Sequence, residues 1–219
     1  MLAQNQIDAV FERLHARYHQ PDADRRPHVK EEAEHFRALV ACLLSAQSRD
    51  SNTAKAKNAL FQLADTPAGI LALPDEEIAA AIKPCGLYKS KTRNLKRLAA
   101  AVQERGGAIP RSRKGLMELP GIGRKCADIV LRFSFGAEAI AVDTHVHRVC
   151  NRLGLARGKT EEQTAQQLDD RAPDWAKRDG HIWLITFAKR VCTSRAPKCA
   201  SCPLSDLCEA YQAGHMAAE

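Results

Sequence analysis

The sequence predicts an all-α fold, and three observations carry that prediction. Val40, Leu43 and Leu44 follow an i, i+3, i+4 pattern, and Ile129, Val130 and Phe133 show the same spacings further on, which places each set on one helix face. Alternation of apolar and polar residues, the period of a half-buried strand, is nearly absent. Residues suited to helix N-caps, Ser112, Asp143, Thr160 and Asp174, stand ahead of periodic stretches.

The periodicity places helices near Ile7 to Tyr18, Glu34 to Ser45, Ser51 to Ala64, Pro74 to Ile82, Lys91 to Gln103 and Gly115 to Leu119. It continues with Arg124 to Phe135, Thr144 to Leu153, Thr160 to Arg171 and His181 to Thr193. The run Ala137 to Val142 suits an extended segment or a helix-to-helix connection equally. Gln20 to His28 is polar, carries Pro21 and Pro27, and reads as a linker. No internal repeat interrupts this organisation.

A chain of 219 residues can bury one large core or two modest ones. Its 33 Lys and Arg against 26 Asp and Glu give a net charge of +7, which favours a polyanionic partner, although a solvated basic surface explains the count equally well. The N-terminal MLAQNQIDAVFERLHARYH has no signal-peptide pattern, and no apolar run approaches membrane-spanning length, so no membrane partner is expected. Of the eight cysteines, Cys42, Cys85, Cys126 and Cys150 are scattered through apolar or helical contexts and read as free buried thiols, while four cluster between Cys192 and Cys208. That asymmetry argues for a reducing compartment and one metal site.

Leu119-Pro120-Gly121-Ile122-Gly123-Arg124-Lys125 lies between a short helix and a strongly apolar one and must be a tight reversal. Pro120 stops the first helix. Gly121 and Gly123 allow positive φ and leave the backbone bare, so consecutive N–H groups can meet a phosphate at a helix N-terminus, gripping the polymer without reading bases. A plain turn between helices explains a lone GxG as well. Arg124 and Lys125 tip the balance, because they place cations where the helix dipole disfavours them, and such broken rules cluster at functional sites. A free lysine amine is neutral in only about one molecule in 10³ at pH 7. The helix start, Arg124 and partial desolvation would all favour the neutral, nucleophilic form of Lys125. A phosphate-binding lysine remains the alternative.

In Ala141-Val142-Asp143-Thr144-His145-Val146-His147, Asp143 is expected to cap a helix and to remain a carboxylate. That suits it to stabilising positive charge, as on a sugar that gains oxocarbenium character when its base departs. Attack by the Lys125 amine on C1′ would give a Schiff base, from which β-elimination cuts the 3′ phosphodiester. His145 and His147 are either phosphate contacts or ordinary exposed helix residues.

Cys192, Cys199, Cys202 and Cys208 supply four thiolates, enough for zinc or for a [4Fe-4S] cluster. Zinc sites usually pair two short knuckles, and here only Cys199 and Cys202 form one, so the spacing favours iron–sulfur and leaves zinc open. Disulfides fit the compartment least. Ligation would hold Arg195 and Lys198 outward on a stiff loop, where phosphate contact follows.

With the hairpin, the Val142-Asp143-Thr144-His145 segment and the cysteine spacing in hand, the chain from about Phe36 to Cys208 resembles the endonuclease III family of helix-hairpin-helix DNA glycosylases and AP lyases. The resemblance implies a six-helix barrel domain over 28–137 and an iron–sulfur domain formed by 1–27 and 138–219. It implies Lys125 as nucleophile, Asp143 as catalytic carboxylate, the four clustered cysteines as [4Fe-4S] ligands, Gln47 as the residue filling the hole left by a flipped nucleotide, and Leu87 as a wedge in the base stack. Gly121, Gly123, Arg124, His145, Arg195 and Lys198 complete the expected DNA contacts. The implied partner is double-stranded DNA containing damaged bases or abasic sites, bound by a monomer, in a cytoplasmic, nucleoid-associated setting. A sister family, the adenine glycosylases, lacks the hairpin lysine and carries glutamate where this chain has Cys42, which points to oxidised or ring-fragmented pyrimidines as substrates. Two departures stand out: Arg49 replaces a small polar residue of the family's usual pattern, leaving substrate range less defined than reaction type, and Cys126 stands where threonine is common and is expected to pack.

Overall fold

The computed structural model describes residues 1–20 and 31–215, and among them there are helices but no strand. In chain order these are α1 (Gln4–Tyr18), α2 (Glu32–Ser45), α3 (Asp50–Leu63), α4 (Pro67–Ala72), α5 (Asp75–Ile82), a 3-10 turn (Lys83–Cys85), α6 (Tyr88–Glu104), α7 (Arg113–Met117) and α8 (Arg124–Phe135). There follow α9 (Thr144–Leu153), α10 (Glu161–Arg171), α11 (Asp174–Lys177), α12 (Gly180–Arg190) and α13 (Glu209–Gln212). The linker expected from Gln20 to His28 lies, beyond Gln20, outside the described residues. Ala137 to Val142 is an irregular connection whose Ala139, Ile140, Ala141 and Val142 are buried.

Three of the expected caps sit where the sequence places them. Ser112 accepts from Gly115 N, Thr160 from Gln163 N, and Asp143 from both His145 N and Val146 N. Asp174 does not cap. Pro173 holds the extended cap position and Asp174 is the first helical residue, its carboxylate accepting from Lys177 Nζ at 2.7 Å. α4 was not anticipated, although Thr66-Pro67 is a start signal: Thr66 accepts from Gly69 N and Pro67 opens the helix, where a missing N–H costs nothing.

The chain divides into two compact units, His28–Gly136 and Met1–Pro27 with Ala137–Glu219. In the first, α2 packs on α8 and α4 on α6. Phe36, Leu39, Val40 and Leu44 of α2, Leu95 and Leu98 of α6, and Val130 of α8 are essentially sealed from water. Each such side chain contributes roughly 1.5–3 kcal/mol of burial. One carboxylate shares this interior. Asp128 of α8 is 0% exposed, with Arg113 Nε 2.6 Å from Oδ1 and Arg124 Nε 3.5 Å from Oδ2. A buried charge is tolerable only when paired in this way.

In the second unit, α1, α9 and α12 pack around Ile7, Phe11, Val146, Leu153, Trp183 and Phe187. Gly180 opens α12 at a point of close approach: a Cβ there would lie 2.9 Å from Ile140 Cδ1 and 3.2 Å from Phe11 Cε1. Arg13 of α1 reaches the C-terminal segment through a two-pronged pair with Asp206, at 2.6 and 2.9 Å. The scattered thiols Cys42, Cys85, Cys126 and Cys150 are free and buried, as expected. Burial pushes the Cys150 thiol up to about 12.

Candidate functional site

The hairpin joins α7 to α8. Its reversal rests on Leu119 N donating to Leu116 O and Ile122 N to Leu119 O, both at 3.1 Å. Gly121 adopts φ +79°, a left-handed conformation that a side chain would strain, and a Cβ there would also press on Leu43 Cδ1 at 3.1 Å. Gly123 differs from the expectation. As the N-cap of α8 it has ordinary φ of −89°, and glycine's contribution is bareness: nothing lies within 4 Å of where a Cβ would stand. α8 thus starts without a side-chain cap, its first-turn N–H groups facing an unobstructed approach.

Arg124 corrects another expectation. Its side chain is only 7% exposed and turns inward to Asp128, four residues on, so the cation that seemed to defy the helix dipole is neutralised within the fold. Lys125, the next residue, is half-buried. It lies beside a buried thiol pair formed by Cys42 of α2 and Cys126 of α8, with Cys42 Sγ 4.0 Å from Cys126 O. Hydrogen bonding between the thiols holds Cys126 below the usual thiol range and Cys42 well above it, and the Lys125 charge pulls both downward.

Gln47 and Leu87 share a backbone feature invisible in the sequence. Among the described residues they alone, of all non-glycines, have positive φ, +51° and +49°. Such a conformation costs about 1–2 kcal/mol at a side-chain-bearing residue, and strain of this kind collects at functional turns. Both side chains are exposed, Leu87 to 60%. Arg49 is exposed at the N-cap of α3.

In the other unit, Asp143 is half-buried and its Oδ1 accepts from His145 N at 3.0 Å and Val146 N at 2.9 Å. The two histidines that follow differ. His147 is tied by Nδ1 to Thr164 Oγ1 of α10 at 2.8 Å, a structural link, whereas His145 is half-buried with Nδ1 3.5 Å from Arg148 Nη2.

The four clustered thiols line one pocket with Leu153, Phe187, Val191 and Tyr211. Four thiolates around one pocket are the donor set of a [4Fe-4S] centre. Burial pushes Cys202 up to about 11, and burial together with the neighbouring sulfurs raises Cys199 and Cys208, a cost that a cationic core at the centre would offset. Leu204 N already donates to Cys202 Sγ at 3.4 Å.

Sequence reasoning missed what holds this loop. Arg148 and Arg152, one turn apart on α9, reach it together: Arg148 Nε and Nη2 donate to Cys192 O at 3.2 and 3.0 Å, and Arg152 Nη1 and Nη2 donate to Thr193 O and Ser194 O at 2.7 and 3.0 Å. Their i, i+4 spacing beside Asp143 was the available signal. Arg195 and Lys198 are exposed on the same loop.

Residues 40–174 match the family model of HhH-GPD superfamily base excision DNA repair proteins, which sets the class, and residues 192–208 match the iron–sulfur binding domain of endonuclease III. Endonuclease III of Escherichia coli (strain K12) is 44% identical over 175 residues, covering 80% of this chain and 83% of the relative. That of Treponema pallidum (strain Nichols) is 40% identical over 92% of this chain and 94% of its own. A trapped endonuclease III–DNA covalent intermediate superposes with a TM-score of 0.85 at 34% identity, over 98% of this chain and 100% of the other. The chain belongs to the endonuclease III family: it is a base excision repair enzyme of the DNA glycosylase/AP lyase type, with an iron–sulfur cluster.

Proposed function

We propose that this enzyme removes oxidised or ring-fragmented pyrimidines from double-stranded DNA, and cleaves abasic sites, with the Lys125 amine as nucleophile. The observation that carries the reading is Lys125 itself, half-buried in the first turn of α8, directly after a hairpin whose bare glycines suit a DNA phosphate. The neutral amine attacks C1′, and the damaged base leaves with the glycosidic electron pair and takes up a proton. Ring opening gives a protonated Schiff base. Loss of the C2′ proton then forms the C2′–C3′ double bond as the 3′ phosphate departs with the C3′–O pair, and water releases the lysine. Asp143, held as a hydrogen-bonded cap, supplies negative charge to the oxocarbenium-like sugar.

The target base must leave the stack for this chemistry, so Gln47 fills the vacated space and Leu87 wedges the neighbouring bases. Backbone N–H groups at Gly121 and Gly123, with Arg195, Lys198 and His145, meet phosphates and fix register without reading sequence. Arg124 drops out of this set, its guanidinium being committed to Asp128. The cluster, ligated by Cys192, Cys199, Cys202 and Cys208, ties the loop that bears Arg195 and Lys198. The enzyme acts as a monomer in the cytoplasm, on the nucleoid. Solved complexes of endonuclease III with DNA support this assignment of partner.

Borohydride trapping tests the nucleophile. Wild type incubated with a duplex carrying one oxidised pyrimidine gives a covalent adduct, which Lys125→Gln abolishes. A wild type that releases the base but never traps would make it a monofunctional glycosylase, with water attacking and Lys125 on phosphate.

A further inference from the structure

Lys91 is a lysine that no part of the chemistry above uses, and it is almost wholly buried, at 4% exposure. It stands in the second turn of α6, and its Nζ donates to two backbone carbonyls: Leu44 O at 2.8 Å and Cys85 O at 3.0 Å. Leu44 lies in the last turn of α2, three residues before Gln47. Cys85 closes the 3-10 turn, two residues before Leu87. The two carbonyls therefore belong to the two turns that carry the only positive-φ non-glycine residues described.

The chemistry of the contact explains why lysine is used. Carbonyls in the last turn of a helix lack intrahelical partners and carry the negative end of its dipole, so a cation there satisfies an acceptor and a charge at once. An ammonium has three donors on one atom and can serve two strands of backbone from a single point. A neutral side chain would leave both buried carbonyls to find other partners.

We propose that Lys91 is a positioning residue, an internal bolt that holds the Gln47 and Leu87 turns at a fixed separation so that plug and wedge enter DNA together. The inference rests on the reading of Gln47 and Leu87 given above. Lys91 touches no DNA in this account, and its loss acts through the two turns.

The test compares the same lesion in two contexts. Holoenzyme carrying Lys91→Met, with iron content and melting measured alongside, is assayed on an abasic site in a duplex and on the same site in a single strand, where no base stack has to be opened. Duplex cleavage falls at least tenfold while single-strand cleavage stays within about twofold of wild type, and fluorescence of a 2-aminopurine beside the lesion no longer rises on binding. Equal losses on both substrates, or no loss on either, overturn the proposal. Leu87→Ala and Gln47→Ala calibrate the underlying reading: if neither changes the duplex-to-single-strand ratio, the plug and wedge assignment fails, whatever Lys91 does. If both do, Lys91→Met added to Leu87→Ala lowers the ratio by less than the product of the single effects, as residues acting through one element must. Should Lys91→Met not fold, Lys91→Arg, which keeps the charge on a longer, planar head, is read in the same ratio. A threefold or larger fall supports the bolt, and an unchanged ratio overturns it.

Discussion

In the hairpin unit irregular backbone is held by charged side chains that the fold itself has buried, whereas in the cluster unit it is held by half-buried arginines and by thiols that converge on one pocket. Lys91 and Asp128, the latter paired with buried Arg124 and half-buried Arg113, belong to the first kind, and their partners all lie within the polypeptide. Arg148, Arg152 and the four cysteines belong to the second, where side-chain hydrogen bonds fix one edge of the loop and the proposed ligation would fix the rest. The difference follows from what each segment has to do. The hairpin and the two strained turns need exact backbone shape, which many protein contacts can over-determine. The loop that presents Arg195 and Lys198 is exposed along its outer side, and ligation at its inner end would add an inorganic cross-link to the apolar contacts with Leu153, Phe187 and Val191.

Removing the cluster gives the largest expected effect and separates the two regions most cleanly. Chelation of iron, or Cys202→Ala, should abolish the visible iron–sulfur absorption and with it lesion cleavage, while the hairpin unit keeps its helical signal. Iron analysis of wild type should return about four atoms per chain. A colourless protein containing zinc and lacking iron would break the comparison.

Asp143 comes next, because its observed role as a cap and its proposed catalytic charge separate by substitution. Asp143→Asn keeps a capping oxygen, so stability should change by less than about 1 kcal/mol, whereas turnover on a damaged base should fall by roughly 10²–10⁴-fold. Asp143→Ala should add a melting loss of about 1 kcal/mol with no comparable further fall in rate. Single-turnover kinetics beside thermal melts distinguish the two variants.

The buried carboxylate tests the opposite pole. Asp128→Asn leaves Arg124 and Arg113 facing a neutral group in the interior and should destabilise the hairpin unit by about 3 kcal/mol, read by denaturant unfolding. Iron content should be unaffected. A mutation that instead released iron would show that the regions are not held independently.

The smallest effect lies at the Arg13–Asp206 pair. The Arg13 guanidinium holds the Asp206 carboxyl below the usual carboxylate range. A group so depressed stabilises the fold above its unfolded titration point and loses that contribution as the pH falls through its folded one. The melting difference between wild type and Arg13→Ala should therefore be present at neutral pH, small because the pair is exposed, and should vanish on acidification through the Asp206 range.

Much of the site was legible because its chemistry is local in sequence. The Pro120-Gly121 stop, the Asp143 cap and the cysteine spacing each depend on neighbours within a few residues, and Gly121 does adopt the positive φ its type allows. Arg124 was misread for the opposite reason: the carboxylate that claims it is in plain view four residues away, but only packing shows Asp128 to be buried and in need of cations. Asp174 went wrong on a single residue, since Pro173 already satisfies the extended cap geometry.

Sequence alone thus determined the helical class, the turn chemistry and which four thiols cluster, because periodicity, capping and residue spacing act over one or two turns of chain, and it nominated Lys125 as the nucleophile through the family resemblance. Tertiary structure decided which cations are committed to the interior, which two exposed side chains ride on strained turns, and that one buried lysine serves both turns. Those outcomes depend on residues brought together from distant parts of the chain, Lys91 with Leu44 and Arg113 with Asp128, and no local pattern encodes such a meeting.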